Sequence, residues 1–273
     1  MTLWQLIQEP LSHEFMRQAF ELAALLSATC ALLSCFLVFK GWSLMGDGIS
    51  HAMLPGVVVA AAIGLPLTLG AFLTGMTCAL ASGYLTQHSR IKEDTALGVV
   101  FSGLFALGIV LFHYLKSDHQ LMHILLGNLL GIQLNDRIRI LIIASIVIFI
   151  IALKWKDLSL YVFDPIQAKV TGLSIQLLHN LLLILLALTA IAAINAVGVI
   201  LVVALLIIPG MTAQLLCRRF STLLITSMTS AILATFLGVW ISYHLDASPA
   251  ACIVLSQTSF FLLALGLYIF RHQ

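Results

Sequence analysis

Charge is what this chain has least of. Asp, Glu, Lys and Arg make up only 9% of its 273 residues, where a soluble domain carries roughly 25%. With 61% hydrophobic residues and a mean hydropathy of +1.11, most of its surface must face lipid rather than water. A net charge of +2, with no basic block and no basic patch interleaved with aromatics, argues against nucleic acid as a partner. Catalytic signatures are missing as well. There is no GxxxxGK[ST] phosphate loop, so ATP in that mode would have to be bound by a separate chain. HExxH is absent, since His13-Glu14 is followed by Phe15-Met16-Arg17, and so is the GxSxG elbow. The five cysteines, Cys30, Cys35, Cys78, Cys217 and Cys252, form no CxxC pair and lie in or beside apolar runs. They read as small apolar helix residues rather than a disulfide or thiolate metal site. Residues 1–10 lack a basic stretch followed by a short apolar core, so the first long apolar segment is expected to stay as an anchor. Low-complexity tracts and strong internal repeats are also missing.

What is present is apolar length. A bilayer core of about 30 Å takes roughly 20 apolar residues per helix. On that measure nine spans are expected, at 15–39, 42–63, 66–86, 95–115, 138–153, 178–196, 199–216, 221–243 and 249–270, the fifth of them short. A tenth apolar stretch, 121–132, is too short to span and reads as interfacial or re-entrant, so the count lies between eight and ten. The fold class is therefore all-α, polytopic and integral to the membrane, with residues 1–273 as one transmembrane domain. Lys and Arg concentrate on the cytoplasmic side of membrane proteins. With the N-terminus outside, Lys40, Arg90, Lys92, Lys154, Lys156, Lys169, Arg218, Arg219 and Arg271 fall inside and only Arg17, Lys116, Arg137 and Arg139 outside: nine against four. That bias predicts N-out and C-in. Two loops are long, an outer one at 116–136 and an inner one at 154–177. Within the latter, Asp164-Pro165 predicts the cap and first position of a short amphipathic helix reaching Gly172.

The segment richest in chemistry is Gly46-Asp47-Gly48-Ile49-Ser50-His51-Ala52-Met53-Leu54-Pro55-Gly56, in the first third of the second span. Asp47 and His51 are four residues apart, hence on one helical face. A carboxylate and an imidazole one turn apart form a donor set suited to Mn²⁺, Fe²⁺ or Zn²⁺. Gly46, Gly48, Pro55 and Gly56 are expected to loosen the helix and free carbonyls toward a cavity. An Asp near a span centre costs about 2.5–3.5 kcal/mol on insertion scales, and Asp47 is the acidic residue hardest to place at a membrane edge. Glu21 lies about one turn into the first span with Arg17 a turn away as its expected partner. The competing reading is that Asp47 and Ser50 cap the second helix and His51 is a packed polar residue; a metal pathway is the preferred one.

The remaining histidines carry less. His113, Asp118, His119 and His123, with His244 and Asp246, fall on the outer side. They fit either an outer funnel for cations or, preferably, solvated loop residues. Asn195 and Gln257 read as interhelical hydrogen-bond partners.

The stretch Lys40-Gly41-Trp42-Ser43-Leu44-Met45 followed by Gly46 through Gly56 resembles the signature of permease subunits of bacterial ATP-binding-cassette importers for zinc, manganese and iron ions. Further motifs resemble that family in the same order: Arg90-Ile91-Lys92-Glu93-Asp94-Thr95-Ala96-Leu97-Gly98, Leu126-Gly127-Asn128-Leu129-Leu130-Gly131, Asp164-Pro165 through Ala168 and Gly172, and Gly198-Val199 through Pro209-Gly210-Met211-Thr212-Ala213. The chain departs from it in reading Pro-Gly-Met-Thr-Ala where many members read Pro-Ala-Ala-Thr-Ala, and in Lys40-Gly41-Trp42 where two arginines are common.

The resemblance implies a permease in the bacterial cytoplasmic (inner) membrane, itself without an ATPase site and without a permanent cofactor, its cargo a divalent metal ion. It implies Asp47 and His51 as contacts of the moving ion. Segment 209–220, with Pro209, Gly210, Thr212, Gln214, Arg218 and Arg219, is implied as a coupling helix against a cytoplasmic ATPase; the residues alone favour a plain basic loop. The implied partners are a second permease chain in a homodimer, cytoplasmic ATP-binding subunits and an extracytoplasmic metal-binding protein. A stand-alone secondary transporter or channel, and an ATP-driven importer of a metal chelate, are the alternatives.

Overall fold

The computed structural model describes residues 12–42, 44–115 and 134–272. The described residues form helices α1 (Glu14–Lys40), α2 (Met45–Ala52), α3 (Leu54–Ile63), α4 (Leu67–His88), α5 (Glu93–Leu115), α6 (Leu134–Phe163), α7 (Pro165–Val170), α8 (Ile175–Val197), α9 (Val199–Leu216), α10 (Phe220–Leu245) and α11 (Pro249–His272). With α2 and α3 in line, nine spans among them are long and apolar enough to cross a membrane, matching the expected nine. The sub-spanning stretch 121–132 lies outside the described residues.

α1 and α8 are the most buried spans, whereas α5, α6 and α11 turn most of their apolar surface outward. Lipid offers no hydrophobic drive for helices to associate, so contact rests on small residues and hydrogen bonds. Both appear at the centre. Ser27 of α1 and Thr235 of α10 share a hydrogen bond, and the Ser227 hydroxyl donates to the Ala31 carbonyl. Gly238 of α10 lies against the Ile253 backbone of α11, and the buried Gln257 amide donates to the Ala231 carbonyl. Gln257 thus takes the interhelical role expected of it.

The two ends of the bundle can be told apart by contact. At one end, Phe36 and Phe39 of α1, Phe163 of α6 and Phe220 of α10 form a ring cluster with centroids 5.0–6.0 Å apart. At the other, Arg137 of α6 meets Glu21 of α1 at 2.6 Å, and His13 meets Tyr243 of α10. Glu21 therefore pairs with Arg137 and not with Arg17. The bond spans two helices because Glu21 faces α6, a neighbour that sequence spacing does not reveal.

The fifth span is longer than expected, running over Leu134–Phe163 rather than 138–153. Lys154, Lys156 and Asp157 interrupt the apolar run without ending the helix. Lys154 bonds Asp157 at 2.8 Å along its own surface, and Leu158, Tyr161 and Val162 keep a buried stripe. The short helix foreseen after Asp164 is present as α7, and the Asp164 carboxylate accepts from the Gln167 N–H at 2.9 Å. Ala168 is fully buried beneath it, and Gly172 closes it with a positive φ of 82°.

Candidate metal-translocation site

Asp47 lies in the first turn of α2 and His51 in its last turn. No side chain caps the start of α2, and the Ser50 hydroxyl turns back to the Gly46 carbonyl at 2.6 Å. Neither Asp47 nor Ser50 is thus a cap, and Asp47 sits in the first third of its span, as expected. The Asp47 carboxylate instead faces His51, with Oδ1 3.2 Å from Nδ1, and the same nitrogen is 3.0 Å from the Asp47 carbonyl oxygen.

Both side chains are a little over one-third exposed, so the pair lies on a partly open face rather than in sealed core. One wall is α5, whose Phe105 presents its ring to His51 at 5.5 Å, with Phe101 at 6.2 Å.

The glycines around Asp47 act through packing. A Cβ on Gly46 would lie 2.5 Å from Leu206 of α9, and one on Gly48 2.9 Å from Leu97 of α5. They allow two neighbours to close on α2, which stays helical across them, contrary to the expectation that they loosen it. The interruption comes instead at Met53, between α2 and α3. Pro55 brings no N–H to the residue one turn earlier, His51, so the last turn of α2 ends at the imidazole.

Among the described residues no group of three or more His, Cys, Asp and Glu side chains is placed to hold a metal ion. The chain thus offers two donors at this point. His113 does not join them. It is exposed in the last turn of α5, beside Tyr114, and lies about 12 Å further along the helix than Phe105 at 1.5 Å per residue. Asp118, His119 and His123 lie outside the described residues. His244 stacks edge-on to Trp240, with centroids 4.5 Å apart, near the end of α10.

No separate helix begins at Pro209. α9 continues through it to Leu216, with Pro209, Gly210 and Thr212 buried. Beside the proline, the Ser34 hydroxyl of α1 accepts from the Gly210 N–H at 3.0 Å and reaches the Ile207 carbonyl at 3.2 Å. Gln214, Arg218 and Arg219 are exposed, the last being the residue before α10.

Sequence reasoning passed over His179. It is buried in α8, and its Nδ1 is 3.0 Å from the Tyr161 hydroxyl. A single histidine within an apolar run carries no spacing signal; the partner that marks it comes from another helix.

An all-helical bundle of nine candidate spans, with a carboxylate–imidazole pair on an interrupted one, defines a polytopic membrane protein of the transporter kind. Residues 12–267 match the ABC 3 transport family, to which the chain belongs. The chelated iron transport system membrane protein YfeD of Yersinia pestis is 50% identical, over 96% of this chain and 89% of its own. The manganese transport system membrane protein MntB of Synechocystis is 45% identical, over 96% and 86%. A solved structure, PsaBC from Streptococcus pneumoniae in complex with Fab, superposes with a TM-score of 0.84 at 35% identity, covering 96% of this chain and 95% of that one.

Proposed function

We propose that this chain is the membrane permease of an ATP-driven importer of divalent transition-metal ions, manganese or iron foremost, in the bacterial cytoplasmic membrane, and that the ion passes Asp47 and His51. The observation that carries this reading is the 3.2 Å carboxylate–imidazole pair, open on one face of an interrupted span, in a chain of a transport family. A relative named for manganese supports the choice of a bare ion, one named for chelated iron supports iron as the metal and keeps the chelate as the second reading, and the oxygen-plus-imidazole donor set suits either bare ion.

Two donors are fewer than the four or more ligands such an ion takes. A second copy of the chain, set with its α2 facing this one, supplies two more from its own carboxylate and imidazole. A homodimer then closes the open face at Asp47 and His51. ATP hydrolysis falls to separate cytoplasmic subunits, and an extracytoplasmic metal-binding protein delivers the ion.

The basic ends of the spans favour N-out and C-in, which places α7 in the cytoplasm. Ile166 and Val170 of α7 are 78% and 81% exposed, an apolar surface on a polar loop helix of the sort that docks a protein partner. α7 is therefore the better docking element for the ATPase, with Gln214, Arg218 and Arg219 at the adjoining α9–α10 turn as its flank.

The test is Mn²⁺ and Fe²⁺ uptake, from the metal-binding protein loaded with the ion, into vesicles holding this chain with and without its ATPase. Uptake that requires both the ATPase and ATP supports the proposal. Equal uptake by the chain alone on an ion gradient makes it a stand-alone transporter, and uptake of an iron chelate but no bare ion makes the cargo a chelate.

A further inference from the structure

Around His179 three segments distant in sequence meet. Trp42, Tyr161 and His179 are all buried. The Trp42 indole meets the His179 ring at 5.2 Å in near-perpendicular contact, and the Tyr161 hydroxyl is 3.0 Å from His179 Nδ1. Lys40 lies 4.6 Å from the centre of the Tyr161 ring. On the far side, α4 leaves no room: a Cβ on Gly83 would stand 3.0 Å from His179 Nε2.

The backbone that these residues belong to gives the cluster its meaning. Tyr161 lies three residues before Asp164, the cap of α7, and His179 lies five residues after Ser174, the cap of α8. The Tyr161–His179 bond therefore closes the base of the hairpin that carries α7. Trp42 terminates α1, its N–H donating to the Leu37 carbonyl at 2.8 Å, and its own carbonyl accepts the Met45 N–H at 3.1 Å, which begins α2. Asp47 follows within that first turn. The indole N–H is buried without a hydrogen-bond partner, so no hydrogen bond of the side chain holds the ring in place.

We propose that Trp42, Tyr161 and His179 link α7 to the first turn of α2, with His179 as the positioning residue that passes a displacement of the α7 hairpin to Asp47. This inference rests on the reading of α7 as the ATPase-facing element. A shift of the hairpin carries the Tyr161–His179 pair with it. Packed against the rigid edge of Gly83, the imidazole has one direction in which to push, and that is onto Trp42. Trp42 then tilts the start of α2, since its carbonyl accepts the N–H of the first residue of that helix.

The test uses the permease assembled with its ATPase in vesicles and supplied with the Mn²⁺-loaded metal-binding protein, recording Mn²⁺ taken up and ATP hydrolysed in the same sample. Tyr161→Phe keeps the ring and removes the bond, and His179→Leu removes the imidazole. Both are expected to hydrolyse ATP at near the wild-type rate while ions moved per ATP fall about fivefold or more, within the span of coupling effects seen for such networks. His179→Asn, which keeps a polar nitrogen near the position of Nδ1, is expected to recover at least about half of the coupling. An unchanged ratio of ions to ATP in both variants overturns the proposal. So does a parallel loss of hydrolysis and uptake, or failure of every variant to assemble, either of which reduces the trio to packing. A wild-type complex that shows no ATP-dependent uptake refutes instead the broader reading on which this one stands, and is seen before any variant is made.

Discussion

Gly56 in α3 and Gly70 in α4 cross so closely that each lies against the other's carbonyl, and a Cβ on either would run into backbone that has no rotamer to yield. This crossing locks the second half of the interrupted span to its neighbour and so fixes where the Asp47–His51 half must end. Gly56→Val is expected to lose at least about 1–3 kcal/mol, the usual cost of overpacking. Thermal unfolding of the purified chain in detergent measures it. Gly103, with open space around its α-carbon, is the control, and Gly103→Ala is expected to leave the midpoint unchanged or slightly raised.

Ser34 holds α1 to the stretch of α9 around Pro209. Replacing it with alanine removes the hydroxyl that the buried Gly210 N–H now uses, a loss of about 0.5–1.5 kcal/mol for one hydrogen bond. Ser34→Ala should lower the unfolding midpoint, and Ser34→Thr should restore most of it. The same melting measurement checks both.

The ATPase-docking surface is assigned here to α7, with the α9–α10 turn at its flank. Ile166→Glu and Val170→Glu place charges on side chains that are 78% and 81% exposed, so they should leave insertion and folding intact. Co-purification of the ATPase is expected to drop about tenfold or more, as charge placed in an apolar contact commonly costs more than 1.4 kcal/mol. Arg218→Gln and Arg219→Gln are expected to weaken it less, rim charges acting mainly on association rate. The opposite order of effects would return the principal contact to the turn.

Much of this was legible in the sequence because lipid imposes a simple code. Runs of apolar residues of membrane length marked the nine spans found among the described residues, and the four-residue spacing of Asp47 and His51 marked their common face. Asp164-Pro165 announced α7 because capping is local chemistry. What stayed hidden depends on neighbours. Lys154 and Asp157 looked like the end of the fifth span, yet they neutralise each other along the helix and α6 continues. Pro209 looked like a helix start, yet a serine from α1 satisfies the backbone around it. Gly46 and Gly48 looked like loosening residues until Leu206 and Leu97 were seen against them. His179 acquired a partner only when α6 and α8 came together.

The central claim is that the cargo ion touches Asp47 and His51 on its way through. Its most direct test is the rate of ATP-dependent Mn²⁺ uptake by a complex carrying Asp47→Ala and His51→Ala, with membrane insertion and ATPase binding confirmed as normal. Losing both donors should slow uptake by about a hundredfold or more, taking roughly 1.4 kcal/mol or more for each ligand. Uptake at the wild-type rate would contradict the account.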